Sequence, residues 1–198
     1  MTLTIPTALT LFRIALIPVM VVVFYAPQLG LPIEQPRFWA ALVFTVGALT
    51  DWLDGWIARR WNMFSAFGAF LDPVADKLAV AAALFIVVQA HPTPWLALLS
   101  AVIVGREITI SALREWMAGI GARGAVAVAW VGKIKTIVQM VAIVALLLGP
   151  QLPLGPHLPA IPTQFLGEWL LALAAALTLW SGFDYLRAAW PSLSAAPR

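Results

Sequence analysis

This sequence predicts an all-α integral membrane protein with six transmembrane helices in one bundle. Three observations carry that reading. Of the 198 residues, 62% are hydrophobic and only 11% are charged, with a mean hydropathy of +0.93, whereas soluble chains carry roughly 25% charged residues. The apolar residues fall into runs long enough for a bilayer core, which needs about 20 of them per helix. Clusters of Pro and Gly, which end helices, separate the runs.

The elements follow in order. The first helix is expected from about Pro6 to Ala26, ended by Pro27-Gln28-Leu29-Gly30-Leu31-Pro32. The second is expected over Phe38 to Arg60 and the third over Gly68 to Ala90, before His91-Pro92-Thr93-Pro94. The fourth is expected over Trp95 to Ala118, ended by Gly119-Ile120-Gly121, and the fifth over Val126 to Leu148. A loop with Pro150, Pro153, Pro156, Pro159 and Pro162 leads to the sixth, over Gln164 to Trp190. No linker is polar enough to separate a pair of domains and no internal repeat is visible, so residues 1–198 read as one domain. Met1-Thr2-Leu3-Thr4 lacks the basic region of a cleavable signal, so the first apolar run is expected to persist as a helix.

Composition limits the chemistry. There is no cysteine, which excludes disulfides and thiolate metal sites. His91 and His157 stand beside prolines in expected loops, so any metal would rest on carboxylates. A net charge of +3 is too small to argue for nucleic acid and fits a weak attraction to anionic lipid. The ten tryptophans suit rings at the headgroup level. Arg59 and Arg60 follow the second helix, Arg123 the fourth, and Arg187 and Arg198 lie near or in the tail, while the loops after the third and fifth carry no Lys or Arg. Only the first loop, with Glu34 and Arg37, blurs the bias. The positive-inside rule then puts both termini in the cytoplasm.

Four of the nine acids lie within 26 residues: Asp51, Asp54, Asp72 and Asp76. Asp51 and Asp54 are spaced i, i+3, and Asp72 and Asp76 i, i+4, so each pair shares a helix face. The short segment from Arg60 to Phe67 makes the two helices antiparallel neighbours, with all four acids converging near one membrane surface. Four anions cannot share a low-dielectric pocket unless something neutralises them. Two hard divalent cations would do so and would form a clamp for displacement at phosphorus. Ion pairs with Arg59, Arg60 and Lys77, or the ion site of a divalent cation transporter, are the other readings. Gly55, Ala58 and Gly68 stand one turn from these acids and leave room for a ligand to approach the backbone. Pro73 frees a carbonyl near Ala69 beside them.

The run Asp51-Trp52-Leu53-Asp54-Gly55-Trp56-Ile57-Ala58-Arg59, then Gly68, Asp72 and Asp76, resembles the signature of the CDP-alcohol phosphatidyltransferase family, D-x2-D-G-x2-A-R-x8-G-x3-D-x3-D. Every fixed position is met at its gap. Within the family the chain is most similar to bacterial members that act on glycerol 3-phosphate, from its start to about residue 149. The likeness includes Leu9-Thr10-Leu11-Phe12-Arg13, Arg106-Glu107-Ile108, Ser111 to Met117 and Gly132-Lys133-Ile134-Lys135-Thr136. One departure is Thr7, where similar proteins usually carry Asn.

The resemblance implies a six-helix homodimer in the bacterial cytoplasmic membrane, with a cytoplasm-facing polar cavity. It implies CDP-diacylglycerol as donor, sn-glycerol 3-phosphate as acceptor, and two divalent ions, Mg2+ or Mn2+. A relative using inositol phosphate as acceptor is the alternative within the family. By similarity, Asp51, Asp54, Asp72 and Asp76 hold the metals, and Asp76 also serves as general base. Gly55, Ala58 and Gly68 would accommodate the cytidine end, with Arg59 near its phosphates. A phosphorylated acceptor needs cations: Arg106 and Arg114 lie eight apart on the fourth helix, and Lys135 lies on the fifth. Glu107 and Glu115 offer the competing view that they hold these arginines as structural pairs. Lys133 cannot share the face of Lys135. Thr7, Thr10 and Arg13 form a polar stripe on the first helix, with Arg13 too deep for a surface residue and expected to face the cavity.

Overall fold

In the computed structural model of the protein, residues 4–61, 65–120, 130–153 and 159–194 are described. Their six helices are α1 (Ile5–Phe24), α2 (Pro36–Trp61), α3 (Ala66–Ala90), α4 (Pro94–Gly119), α5 (Trp130–Leu148) and α6 (Thr163–Ser194). There are no strands among the described residues; one antiparallel bridge, Leu152 to Ile161, closes the α5–α6 connection. The expected ends hold to within about a turn. The first residues expected for the fifth helix, 126–129, lie outside the described residues, as do Arg123, His157 and Arg198.

Local chemistry sets several of these ends. Thr4, Ser65 and Thr93 precede α1, α3 and α4 in extended conformations, and their hydroxyls accept from the backbone N–H of Thr7, Gly68 and Leu96. Such caps satisfy donors that have no partner inside the helix. Pro6 and Pro94 occupy first-turn positions, where a missing N–H costs nothing. Gly149 follows α5 with φ of 96°, a left-handed conformation that suits glycine at a helix end.

The chain is a membrane protein. Among the described residues, three helices are long and apolar enough to cross a bilayer by length and composition: Ile5–Phe24, Pro94–Gly119 and the Thr163–Arg187 part of α6. Outward-facing side chains are large and apolar, as lipid requires, and every tryptophan whose side chain is described is exposed.

α1 packs extensively on both α2 and α3, which meet each other only sparsely. The short α2–α3 connection does bring those two helices into contact, but α1 lies between much of their length. α6 packs on α5 and α4, α5 also meets α2, and α3 touches α4 and α5. All six helices contribute to one apolar core, from Met20 and Phe24, Phe44, Leu84 and Val87, Leu96 and Ile103, Ile143 and Leu146, and Leu171. A Cβ on Gly167 would come 2.7 Å from Leu146 Cγ and 3.2 Å from the Ala142 carbonyl. Glycine there lets α5 and α6 approach closely. Beside this core, Arg37 Nη1 bonds His91 Nε2 at 3.0 Å, and its guanidinium lies 5.8 Å from the Phe24 ring centre. Burial, then the Arg37 charge, pushes the His91 pKa below its usual 6.5.

Candidate active site

The core is built from the C-terminal half of α1, the N-terminal half of α2 and their counterparts along the chain. The opposite ends of the same helices carry the charges. Asp51 and Asp54 stand on the last turns of α2, and Asp72 and Asp76 on the early turns of α3. Because α1 lies between these helices, its polar stripe meets both. Arg13 is 2% exposed. Its Nη1 lies 2.7 Å from Asp51 Oδ1 and also bonds Asp76 Oδ1, while its Nη2 bonds Asp54 Oδ2. Thr10 donates to Asp72 Oδ1. Thr7 Oγ1 lies 2.8 Å from Ser65 Oγ and 2.9 Å from Thr4 Oγ1.

The structure thus draws Asp51, Asp54 and Asp76 onto one guanidinium, with Asp72 beside them on Thr10. Among the described residues, no group of three or more His, Asp or Glu is arranged to hold a metal ion directly. The donor set nonetheless fits hard divalent cations: it is all oxygen, with three carboxylates on the single guanidinium of Arg13 and a fourth, Asp72, on the Thr10 hydroxyl. Asp54 is 3% exposed, while Asp51 and Asp76 reach the cavities on either side.

Gly55, Ala58, Arg59 and Gly68 line one open cleft with Asp72, Thr7 and Ser65, of about 670 Å³. Thus the residues expected at the cytidine end share a cleft with one acid. Gly68 is required there by close approach: a Cβ would fall 2.9 Å from Ser65 Oγ and 3.0 Å from Thr7 Oγ1. Arg59 is exposed at its rim, as is Arg60 beyond it.

The cations of α4 and α5 form a connected network. Lys135 Nζ bonds Glu107 Oε1, which lies 3.5 Å from Arg106 Nη1. Arg106 Nη2 donates to Ser181 Oγ at 2.8 Å, and Arg114 Nη2 to the Tyr185 hydroxyl at 2.7 Å. The Tyr185 ring faces both guanidiniums, at 5.7 and 4.9 Å. Arg106 therefore has a carboxylate near it, as the structural-pair view expects, while Arg114 and Glu115 form no ion pair among the described residues. Glu107 lines a cavity of about 1060 Å³ together with Asp51, Asp76, Lys77 and Gln139, which joins this network to the acid cluster.

Four contributors escape a reading of the sequence. Ser65 caps α3 and holds Thr7; Ser and Gly three apart at a helix start is a capping signal that could have found it. Ser181 and Tyr185 sit on α6, and Gln139 lies one turn after Lys135; no local pattern marks these three.

The acid cluster, the glycine-lined cleft and the cation network stand together at the end of the bundle opposite the apolar core. The family model for CDP-alcohol phosphatidyltransferases matches residues 3–180, and the chain belongs to that family. The particular relatives share one description. The chain is 51% identical over 185 residues to the CDP-diacylglycerol–glycerol-3-phosphate 3-phosphatidyltransferase of Escherichia coli strain K12, covering 93% of this chain and 94% of the relative. The protein of the same description from Shigella flexneri serotype 5b, strain 8401, matches to the same extent.

Proposed function

We propose that the protein transfers the phosphatidyl group of CDP-diacylglycerol to sn-glycerol 3-phosphate, releasing CMP and phosphatidylglycerophosphate. The observation that carries this reading is the 51% identity, across 93% of the chain, to relatives described by that reaction. The cleft geometry supports it from the residues upward.

Asp51, Asp54, Asp72 and Asp76 would hold two divalent cations, Mg2+ or Mn2+. Bound there, such ions neutralise the diphosphate and stabilise the departing CMP. Gly55, Ala58 and Gly68 leave the cytidine end room, and Arg59 faces its phosphates. Arg106, Arg114 and Lys135 hold the acceptor phosphate, with Tyr185 fixing both arginine planes. This orients the acceptor hydroxyl toward Asp76, which takes its proton as the oxygen attacks the β-phosphorus. The new P–O bond forms as the bond from the β-phosphorus to the bridging oxygen breaks, and that oxygen leaves on CMP. Arg13 keeps Asp76 aimed and screens the acids from one another. Thr7, Thr10 and Arg13 together seat α1 on the site.

Orientation follows the charge bias: the site and both termini face the cytoplasm of a bacterial inner membrane. The family resemblance also supports a homodimer, which cross-linking in native membranes would test. Activity is tested by CMP release from purified protein in detergent, with CDP-diacylglycerol and magnesium. Glycerol 3-phosphate, inositol phosphate and serine are offered separately. Release with glycerol 3-phosphate alone is expected; release only with another alcohol would keep the chemistry and overturn the acceptor assignment.

A further inference from the structure

Lys77 follows Asp76 on α3 and is half-buried. Among the described residues its side chain forms no ion pair and no hydrogen bond. By contrast, Arg13 meets the acids, Lys135 meets Glu107, Arg106 meets Ser181 and Arg114 meets Tyr185. A partly buried ammonium is costly to leave without an anion. Two cavities run along the seam between α3 and α4, and Lys77 lines both. One, of about 1060 Å³, contains Asp51, Asp76 and Glu107. The other, of about 1260 Å³, contains Ser111, Arg114 and Glu115. Among the described residues, Lys77 is the one charged side chain common to the two.

Phe70, Pro73, Val74 and Lys77 recur at i, i+3, i+4 and i+7, so they share the face of α3 that lines the second cavity. Gly68 and Asp72 lie on another face, in the cleft with Gly55, Ala58 and Arg59. At about 100° per residue, Asp76 falls between these faces. The nucleotide end of the donor and Lys77 thus stand on different sides of Asp76. An acceptor whose hydroxyl meets Asp76 can extend its other end along the seam, where Lys77 and Arg114 supply two cations. A phosphate monoester, with a charge of about −1.5 to −2 near neutral pH, is the anion that suits them.

We infer that Lys77 is a further acceptor-binding residue, whose ammonium meets the acceptor's phosphate on the α4 side of α3. The inference rests on the proposed reaction. A lysine is a point charge on a flexible stem, so it can follow the phosphate as the hydroxyl closes on Asp76, while Tyr185 holds Arg114 in place. A lipid headgroup phosphate has the same chemistry, and the experiment separates the two.

The first arm labels the wild-type protein in neutral detergent with an amine-acetylating reagent, read at Lys77 by mass spectrometry, with magnesium and CMP present. Glycerol 3-phosphate at about ten times its KM is expected to slow the labelling of Lys77 by about tenfold, and glycerol is expected to leave it unchanged. Phosphatidylglycerol added to the micelles is the headgroup control. The second arm is kinetic. Lys77→Met is expected to raise the KM for glycerol 3-phosphate by about 10- to 100-fold and to leave the KM for CDP-diacylglycerol unchanged. Lys77→Arg keeps the charge and should keep most of the acceptor affinity. No protection by glycerol 3-phosphate, protection by phosphatidylglycerol alone, or an unchanged acceptor KM in Lys77→Met would overturn the inference. If the Met variant does not fold, labelling of the wild type decides. Failure of the wild type to release CMP with glycerol 3-phosphate sinks the proposed reaction first, and this inference with it; normal release without protection of Lys77 sinks only the inference.

Discussion

Where α1 ends and α2 begins, the six helices are packed through Phe24, Phe44, Leu84, Leu96, Ile143 and Leu171, and little but shape holds them. At the other end of the same helices, the groups that meet are Arg13 with three aspartates, Lys135 with Glu107, and two arginines with Tyr185. The two ends tolerate change differently. Trimming an apolar side chain in the core leaves a space whose cost depends on its volume. Removing a partner at the charged end leaves an uncompensated buried ion, a penalty that does not depend on shape. The core end supplies rigidity, and the charged end turns it into placement of reacting groups.

That contrast can be broken or sharpened by substitution. Asp76→Asn removes the proton acceptor while keeping its size, and turnover should fall about 10²–10⁴-fold with the thermal transition in detergent nearly unmoved. Near-normal CMP release would take the base role from Asp76. Arg13→Leu strips the acid cluster of its buried cation; a stability loss of about 3–5 kcal/mol is expected, read as a fall in melting temperature in metal-free detergent. Leu146→Ala, in the core, should cost about 2–5 kcal/mol by the same measurement but leave the KM for either substrate unchanged. A changed acceptor KM would show that the two ends are not separable. Tyr185→Phe keeps the ring and removes the bond to Arg114, so the acceptor KM should rise by up to about tenfold with stability little affected.

The smallest effect concerns His91. Its pKa in the folded protein is lowered, by burial and then by Arg37, so the unfolded chain takes up the proton more readily. Stability from this group is therefore full above the unfolded value of 6.5 and declines as the pH falls below it. His91→Gln should flatten that part of the stability profile; an unchanged slope below pH 6.5 would remove His91 as its source.

Much of this is legible in the residues. Prolines and glycines at 27–32, 92–94 and 149–162 mark helix ends because neither residue continues a helix well, and the observed ends fall beside them. The acids are legible because a helix turns 3.6 residues into geometry: i, i+3 and i, i+4 spacings hold whatever the tertiary packing. What spacing does not convey is the neighbour. Arg13 and Asp76 are 63 residues apart, and only the placement of α1 between α2 and α3 brings them together. Tyr185 is 71 residues from Arg114 on a helix whose sequence reads as ordinary apolar span. Ser65 escapes because the apolar pattern of the third helix starts at Gly68, three residues after the cap.

The wedge formed by α1 also bears on how the molecule is made. A chain threaded into a bilayer from its N-terminus delivers Arg13 before any of its partners exists. Asp54 comes 41 residues later and Asp76 comes 63 later. An unpaired arginine at mid-membrane depth costs roughly 2.5–3.5 kcal/mol on insertion scales. Arg13 stands only nine residues into α1, near enough to the boundary to reach headgroups while it waits. The final seating of α1 is thereby tied to α2 and α3, which bring the carboxylates that pair with its arginine.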